Sequence, residues 1–248
     1  SDKAKRLIMS WFVNWFDSPY YHALYKNRDE KEAQVFIDNL VHHLQIKKGS
    51  KLIDIACGKG RHATYFNSLG LDVVGVDLSP NSIASAKKNE NNTLQFVAHD
   101  MLEVYQENHF DIVTNLFTSF GYFEKDEDEQ KAINAMVSNL KVGGVLIIDF
   151  MNVKKVISNL VASEQKTIDD ITFDIRKKME NKHIIKDIHI IEGTIQEHFQ
   201  EKVKALTLAD FSDFISSANL RIIDIFGNYK LEDFNASNSD RLIIIAKK

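Results

Sequence analysis

The stretch Lys51-Leu-Ile-Asp54-Ile-Ala56-Cys57-Gly58-Lys-Gly60-Arg61-His62 sets two glycines and an aspartate beside a run of cationic side chains. Leu52, Ile53 and Ile55 form an apolar run of the kind buried in a parallel sheet, and Gly58 and Gly60 permit backbone angles that a side chain forbids. A strand, a glycine turn and a helix start therefore follow one another, so that free N–H groups can face a ligand lying against the main chain. Asp54 closes the strand, at the end where open α/β sheets bind their ligands. Asp77 closes a second apolar run, Val73-Val74-Gly75-Val76, where a carboxylate can take both hydroxyls of a ribose. Asp100 follows a third run beginning at Leu94. Such a set suits a cofactor built on a nucleoside.

Gly58-x-Gly60-x-x-Ala63 also fits the dinucleotide fingerprint. Asp54 separates the two classes, because a carboxylate there repels a pyrophosphate and attracts a ligand carrying a sulfonium and an ammonium group. S-adenosylmethionine is such a ligand, with S-adenosylhomocysteine as its product. The series Asp54-Ile-Ala56-Cys57-Gly58-Lys-Gly60-Arg61, Val76-Asp77-Leu78-Ser79, His99-Asp100-Met101 and Leu140-Lys-Val-Gly143-Gly144-Val-Leu-Ile-Ile-Asp149 resembles the class I S-adenosylmethionine-dependent methyltransferases. Ala56 departs from the pattern, standing where many members carry the first glycine of the loop. The resemblance implies that Asp54, Ala56, Cys57, Gly58, Gly60, Arg61, Asp77, Leu78 and Ser79 line the cofactor and that Asp100 and Met101 hold its adenine. It also implies that the end of the fourth strand, Asn115-Leu116-Phe117, faces the methyl group to be transferred.

Amino-group methyltransferases of DNA usually carry a Pro-Pro-aromatic motif at that strand end, and this chain has no proline there. Thr118-Ser119-Phe120-Gly121-Tyr122 instead resembles the methyltransferases that dimethylate amino groups on nucleotide-linked deoxysugars, with Tyr122 at the ring position. Tyr21-x-x-x-Tyr25-x-x-Arg28 resembles the N-terminal segment of the same group, which implies a lid whose Tyr21 and Arg28 reach the cofactor, Arg28 suiting its carboxylate. The competing reading of these tyrosines is plain aromatic packing. In-line methyl transfer to a small nitrogen or oxygen acceptor needs alignment and at most a weak base or orienting hydroxyl, for which Tyr21, His62 and Tyr122 are the candidates.

Composition bounds the partners. A net charge of −4 with no long basic run lacks the footprint of a nucleic-acid binder, so a small-molecule acceptor is expected. The single Cys57 excludes a disulfide framework and a thiolate zinc cluster within the chain, and the scattered histidines suggest no metal site. No apolar run approaches a membrane span, so a cytoplasmic monomer or homodimer is expected. An RNA or protein methyltransferase and a non-catalytic S-adenosylmethionine-binding protein are the rival readings.

Helices are expected over 3–16, 29–46, 60–69 and 126–140, the last followed by Gly143-Gly144 and a strand from Val145 to Phe150. Residues 17–28 read as a polar, aromatic linker. From 167 to 206 apolar residues alternate with polar ones, predicting a three-stranded antiparallel insertion. Thr207-x-x-Asp210 opens a further helix, and strands at 220–226 and 241–247 are too closely linked for a crossover, so they pair antiparallel. The expected fold is α/β: a doubly wound seven-stranded methyltransferase sheet with an antiparallel last strand. Its parts are an N-terminal helical lid at 1–46, the methyltransferase domain at 47–166 and 207–248, and the β insertion at 167–206.

Overall fold

The computed structural model describes residues 11–25 and 30–248. In chain order the elements are α1 (Trp11–Phe16), α2 (Pro19–Leu24), α3 (Glu30–His43), β1 (Lys51–Ile55), α4 (Arg61–Ser68), β2 (Asp72–Asp77), α5 (Pro80–Ala86), β3 (Leu94–Ala98), β4 (Phe110–Asn115), α6 (Asp126–Asn139) and β5 (Leu140–Met151). They continue with α7 (Val153–Ser158), β6 (Ser163–Ile168), β7 (Ile171–Glu180), β8 (His183–Glu192), β9 (Ile195–Lys204), α8 (Leu208–Ser217), β10 (Arg221–Phe226) and β11 (Arg241–Lys247). The chain forms two compact units, Ser1–Arg28 with Val156–Ala205 and Asp29–Lys155 with Leu206–Lys248.

The larger unit is built on a seven-stranded sheet in the order β10-β11-β5-β4-β1-β2-β3. All neighbours from β5 to β3 run parallel, and β11 runs antiparallel to both β5 and β10. The central strands are apolar on both faces because helices cover both, and Leu52, Ile53, Val113, Ile147 and Ile243 are buried. Helix α3 buries Ala33, Phe36, Ile37 and Leu40 at helical spacing, and the last three join the core of this unit. Strand β5 begins at Leu140, directly after α6, so the two glycines lie inside a strand rather than before it. Thr207 and Asp210 form the expected capping box on α8.

The smaller unit corrects two expectations. Its sheet has four antiparallel strands, β6-β7-β8-β9, rather than three. The strand that sequence reading missed, β6, presents mostly exposed polar side chains, so no apolar alternation marks it. Residues 19–24 form helix α2 where a linker was expected, because Ser18 caps it by accepting the Tyr20 N–H and Pro19 occupies its first turn. Trp15 is fully buried with Phe173, Ile175, Ile188 and Ile190. Its indole N–H donates to Glu201 at 2.7 Å, and Glu201 also accepts from Tyr25 and pairs with Lys186. Among the described residues no helix is long and apolar enough to cross a membrane.

Candidate functional site

The carboxyl ends of β1, β2 and β4 meet in the larger unit, and their polar side chains define the site. Asp54 is 2% exposed. Its register partner Thr114 on β4 donates to Oδ1 at 2.8 Å, while Oδ2 is buried with no partner. Burial raises the Asp54 carboxyl from its ordinary 3.8 to about 7, the Thr114 hydroxyl opposes the shift, and nearby Asp77 adds to it. An uncompensated buried acceptor costs about 1–3 kcal/mol and attracts a donor or cation.

The loop that follows alternates into the left-handed region at Ala56 (φ 60°), Gly58 (φ 57°) and Gly60 (φ 80°). The two glycines serve different ends. At Gly58 a Cβ would meet nothing within 4 Å, so the main chain is open to a ligand, whereas at Gly60 it would stand 2.4 Å from the Phe96 ring. Asp77 organises this loop, its Oδ2 accepting the Gly58 N–H at 2.8 Å and its Oδ1 accepting the Ser79 N–H at 2.8 Å. Ser79 then caps α5 by accepting from the Ser82 N–H. Cys57 is buried, and burial pushes its thiol well up.

At the end of β4 Asn115 is fully buried and donates to the carbonyls of Ile55 and Ser119, both at 3.2 Å. Leu116 is buried beside it. Phe117 and Thr118 are consecutive residues at φ 65° and 56°. The turn is closed by the Ser119 hydroxyl donating to the Leu116 carbonyl and the Tyr122 hydroxyl donating to the Thr118 carbonyl at 2.6 Å. The Phe117 ring has the Arg61 guanidinium 5.2 Å from its centroid, the Arg241 guanidinium at 5.6 Å and the buried His62 ring at 6.0 Å.

The structure thus brings Asp54, the glycine loop, Arg61, His62, Asp77, Ser79 and the 115–117 segment to one edge of one unit. Leu78 and Met101 are half-buried at the ends of β2 and β3, and Asp100 shapes a turn by accepting the Leu102 N–H at 3.0 Å. Tyr21 lies in the smaller unit, its ring 5.0 Å from those of Phe16 and Tyr25. Arg28 lies outside the described residues. Sequence reading gave no role to Thr114, Tyr229 and Arg241, and it took Thr118 only as part of the turn motif. The signal available was Thr114 within Phe110–Asn115 and Asp149 within Val145–Phe150, since a polar side chain inside a buried strand requires a partner from elsewhere.

These groups fit S-adenosylmethionine. The unpartnered oxygen of Asp54 suits an ammonium, Asp77 stands at the end of β2 where a carboxylate can take ribose hydroxyls, and Gly58 lets a ligand lie against the chain. Residues 52–144 match the family described as a methyltransferase domain. A glycine/sarcosine N-methyltransferase of Parasynechococcus marenigrum (strain WH8102) is 32% identical over 143 residues, covering 56% of this chain and 49% of that protein. A dTDP-3-amino-3,4,6-trideoxy-alpha-D-glucopyranose N,N-dimethyltransferase of Streptomyces venezuelae is 25% identical, covering 71% of this chain and 77% of that one. The chain spans about half the length of the glycine/sarcosine relatives it matches. In fold it is similar to an S-adenosylmethionine-dependent methyltransferase from Clostridium acetobutylicum ATCC 824, with a TM-score of 0.77 at 20% identity over 92% of this chain and 95% of that one. Residues 52–144 thus match a methyltransferase domain, and the chain shares its fold with that Clostridium acetobutylicum methyltransferase.

Proposed function

We propose that this chain methylates a nitrogen or oxygen of a small molecule by in-line transfer. The observation that carries the reading is the unpartnered buried oxygen of Asp54 beside an open glycine loop, on the sheet edge where the Phe117 turn also lies. When bound, S-adenosylmethionine supplies an electrophilic methyl group on a sulfonium leaving group. Asp54 holds the ammonium, Asp77 the ribose hydroxyls, and Asp100 with Met101 the adenine. Asn115 and Leu116 fix the end of β4 so that the Phe117 turn faces the methyl group. His62 and Tyr122 stand on the acceptor side, where either can take or direct the proton that the acceptor loses. The Tyr122 hydroxyl donates to the Thr118 carbonyl, which ties its ring to the turn. Tyr21 and Arg28 enter by resemblance alone, and that role requires slower hydrogen exchange of residues 17–28 when S-adenosylhomocysteine binds.

The small-molecule class draws support from the relatives, one named for glycine and sarcosine and one for a dTDP-linked amino sugar. Both names describe N-methylation, which makes an amine the first acceptor to test. The experiment is transfer of label from methyl-labelled S-adenosylmethionine to glycine, sarcosine, a dTDP-linked amino sugar, transfer RNA and a protein lysate, with S-adenosylhomocysteine binding measured in parallel. Label in the amine fractions is the expected result. Label confined to RNA or protein overturns the substrate class, and binding without transfer to any acceptor favours a non-catalytic role.

A further inference from the structure

The turn after β4 is held in a shape that its own residues resist. Left-handed backbone is uncommon for any residue but glycine, and Thr118 is β-branched, which makes its φ of 56° directly after Phe117 at 65° an outlier that the surroundings must enforce. The enforcement centres on one residue. Asp149, near the end of β5, accepts the Phe117 N–H at Oδ2 (2.9 Å), and its main-chain carbonyl accepts the Thr118 N–H (2.9 Å). The carboxylate is held in turn by Arg241 Nε at Oδ1 (2.7 Å) and by the Tyr229 hydroxyl at Oδ2 (2.9 Å). Arg241 closes the ring by donating from Nη2 to the Thr118 hydroxyl at 3.0 Å.

Three elements contribute to this cluster: β5, the start of β11, and the connection between β10 and β11. The sheet does not need it, since a buried ion pair replaced by apolar side chains of similar volume is often neutral or stabilising. What an apolar side chain at 149 cannot supply is the carboxylate acceptor for the Phe117 amide, or the anchor for the Arg241 that reaches the Thr118 hydroxyl. The cluster also reaches the glycine loop, because the Phe117 ring it fixes lies under Arg61 in the first turn of α4.

We infer that Asp149, Arg241 and Tyr229 are positioning residues that fix the Phe117–Thr118 turn, so that the turn presents the acceptor to the methyl group in a set geometry. This rests on the methyl-transfer reading above, and its test separates the two. Full-length Tyr229→Phe, Thr118→Ala and Thr118→Ser variants are compared with the unaltered chain in three measurements. These are S-adenosylhomocysteine affinity by calorimetry, hydrogen exchange over residues 115–122, and the rate of label transfer to sarcosine or to whichever amine of the panel above takes label.

Tyr229→Phe and Thr118→Ala are expected to bind S-adenosylhomocysteine within about threefold of the unaltered chain while kcat falls by about tenfold or more, since misplacement without loss of contact acts on the transition state. Exchange over 115–122 should quicken, and Thr118→Ser should restore both rate and exchange. An unchanged kcat with a lowered melting temperature would make the cluster scaffold only and overturn the inference, as would unchanged exchange. An unaltered chain that binds S-adenosylhomocysteine but labels no acceptor sinks the methyl-transfer reading itself. The exchange data then decide the cluster's hold on the turn: quickening confined to 115–122 supports it, and no quickening overturns it.

Discussion

Two buried carboxylates stand near the carboxyl edge of one sheet and are treated in opposite ways. Asp149 on β5 has a fully covered side chain whose oxygens take Arg241, Tyr229 and the Phe117 amide. Asp54 on β1 has Thr114 on one oxygen and nothing on the other. A buried charge persists either because the protein supplies its partners or because a ligand will. Asp149 is complete without a ligand and shapes the chain around it. Asp54 is incomplete, and its missing partner has the chemistry of a cation or strong donor.

The largest effect that can break this comparison is Arg241→Met. It leaves the Asp149 charge buried without its cation, and urea unfolding should register a loss of about 3–5 kcal/mol. Asp54→Asn removes a charge that has no cation in the protein, so at pH 8 it should unfold no earlier than the unaltered chain. Equal losses in the two variants would erase the distinction. Asp77→Ala comes next, since it removes the proposed ribose partner together with the acceptor of the Gly58 and Ser79 amides. Calorimetry should show about 2–4 kcal/mol less binding of S-adenosylhomocysteine, with Asp77→Asn between the two.

A pH titration sharpens the comparison further. Below 3.8 the Asp54 carboxyl is protonated in both the folded and unfolded chain and has no effect on the balance. Between 3.8 and about 7 the unfolded chain ionises while the folded one stays neutral, so the stability of the ligand-free protein falls as pH rises. Above about 7 both are ionised and the contribution levels off. Affinity for S-adenosylhomocysteine should move the other way and rise through about 7, as the ionised carboxylate gains an ammonium. The difference in melting temperature between the unaltered chain and Asp54→Asn, measured from pH 4 to 9, should follow this curve, and a flat difference removes Asp54 from the role assigned to it. The smallest effect is Ala56→Gly. It relieves a left-handed alanine at the cost of a more flexible unfolded chain, for a net gain of up to about 1 kcal/mol by thermal unfolding.

Much of the fold was legible in the sequence because its cues are local. The run Leu52-Ile-Asp54-Ile with Gly58 and Gly60 announced a strand, a turn and a helix start, and the short link between the last two strands required them to pair antiparallel. Thr207 and Asp210 announced their helix cap in the same way. Where cues were weak the reading failed: β6 has no apolar face to reveal it, and a two-residue cap signal at Ser18-Pro19 was lost among aromatic residues.

The site divides along the same line. Asp54, Gly58 and Asp77 were visible as a set because each ends a strand or opens a turn next to an apolar run. The glycines could not be told apart in sequence, since only the approach of Phe96 makes Gly60 a packing requirement while Gly58 stays open. Asp149, Tyr229 and Arg241 are separated by up to 92 positions, and no local pattern links them. Tertiary structure alone decided that they converge on Phe117 and Thr118, because β11 enters the sheet beside β5 in the reverse direction and brings the start of one strand to the end of another. Local geometry and patterning lie within reach of neighbouring residues, whereas the satisfaction of a buried charge depends on which distant strand the sheet places beside it.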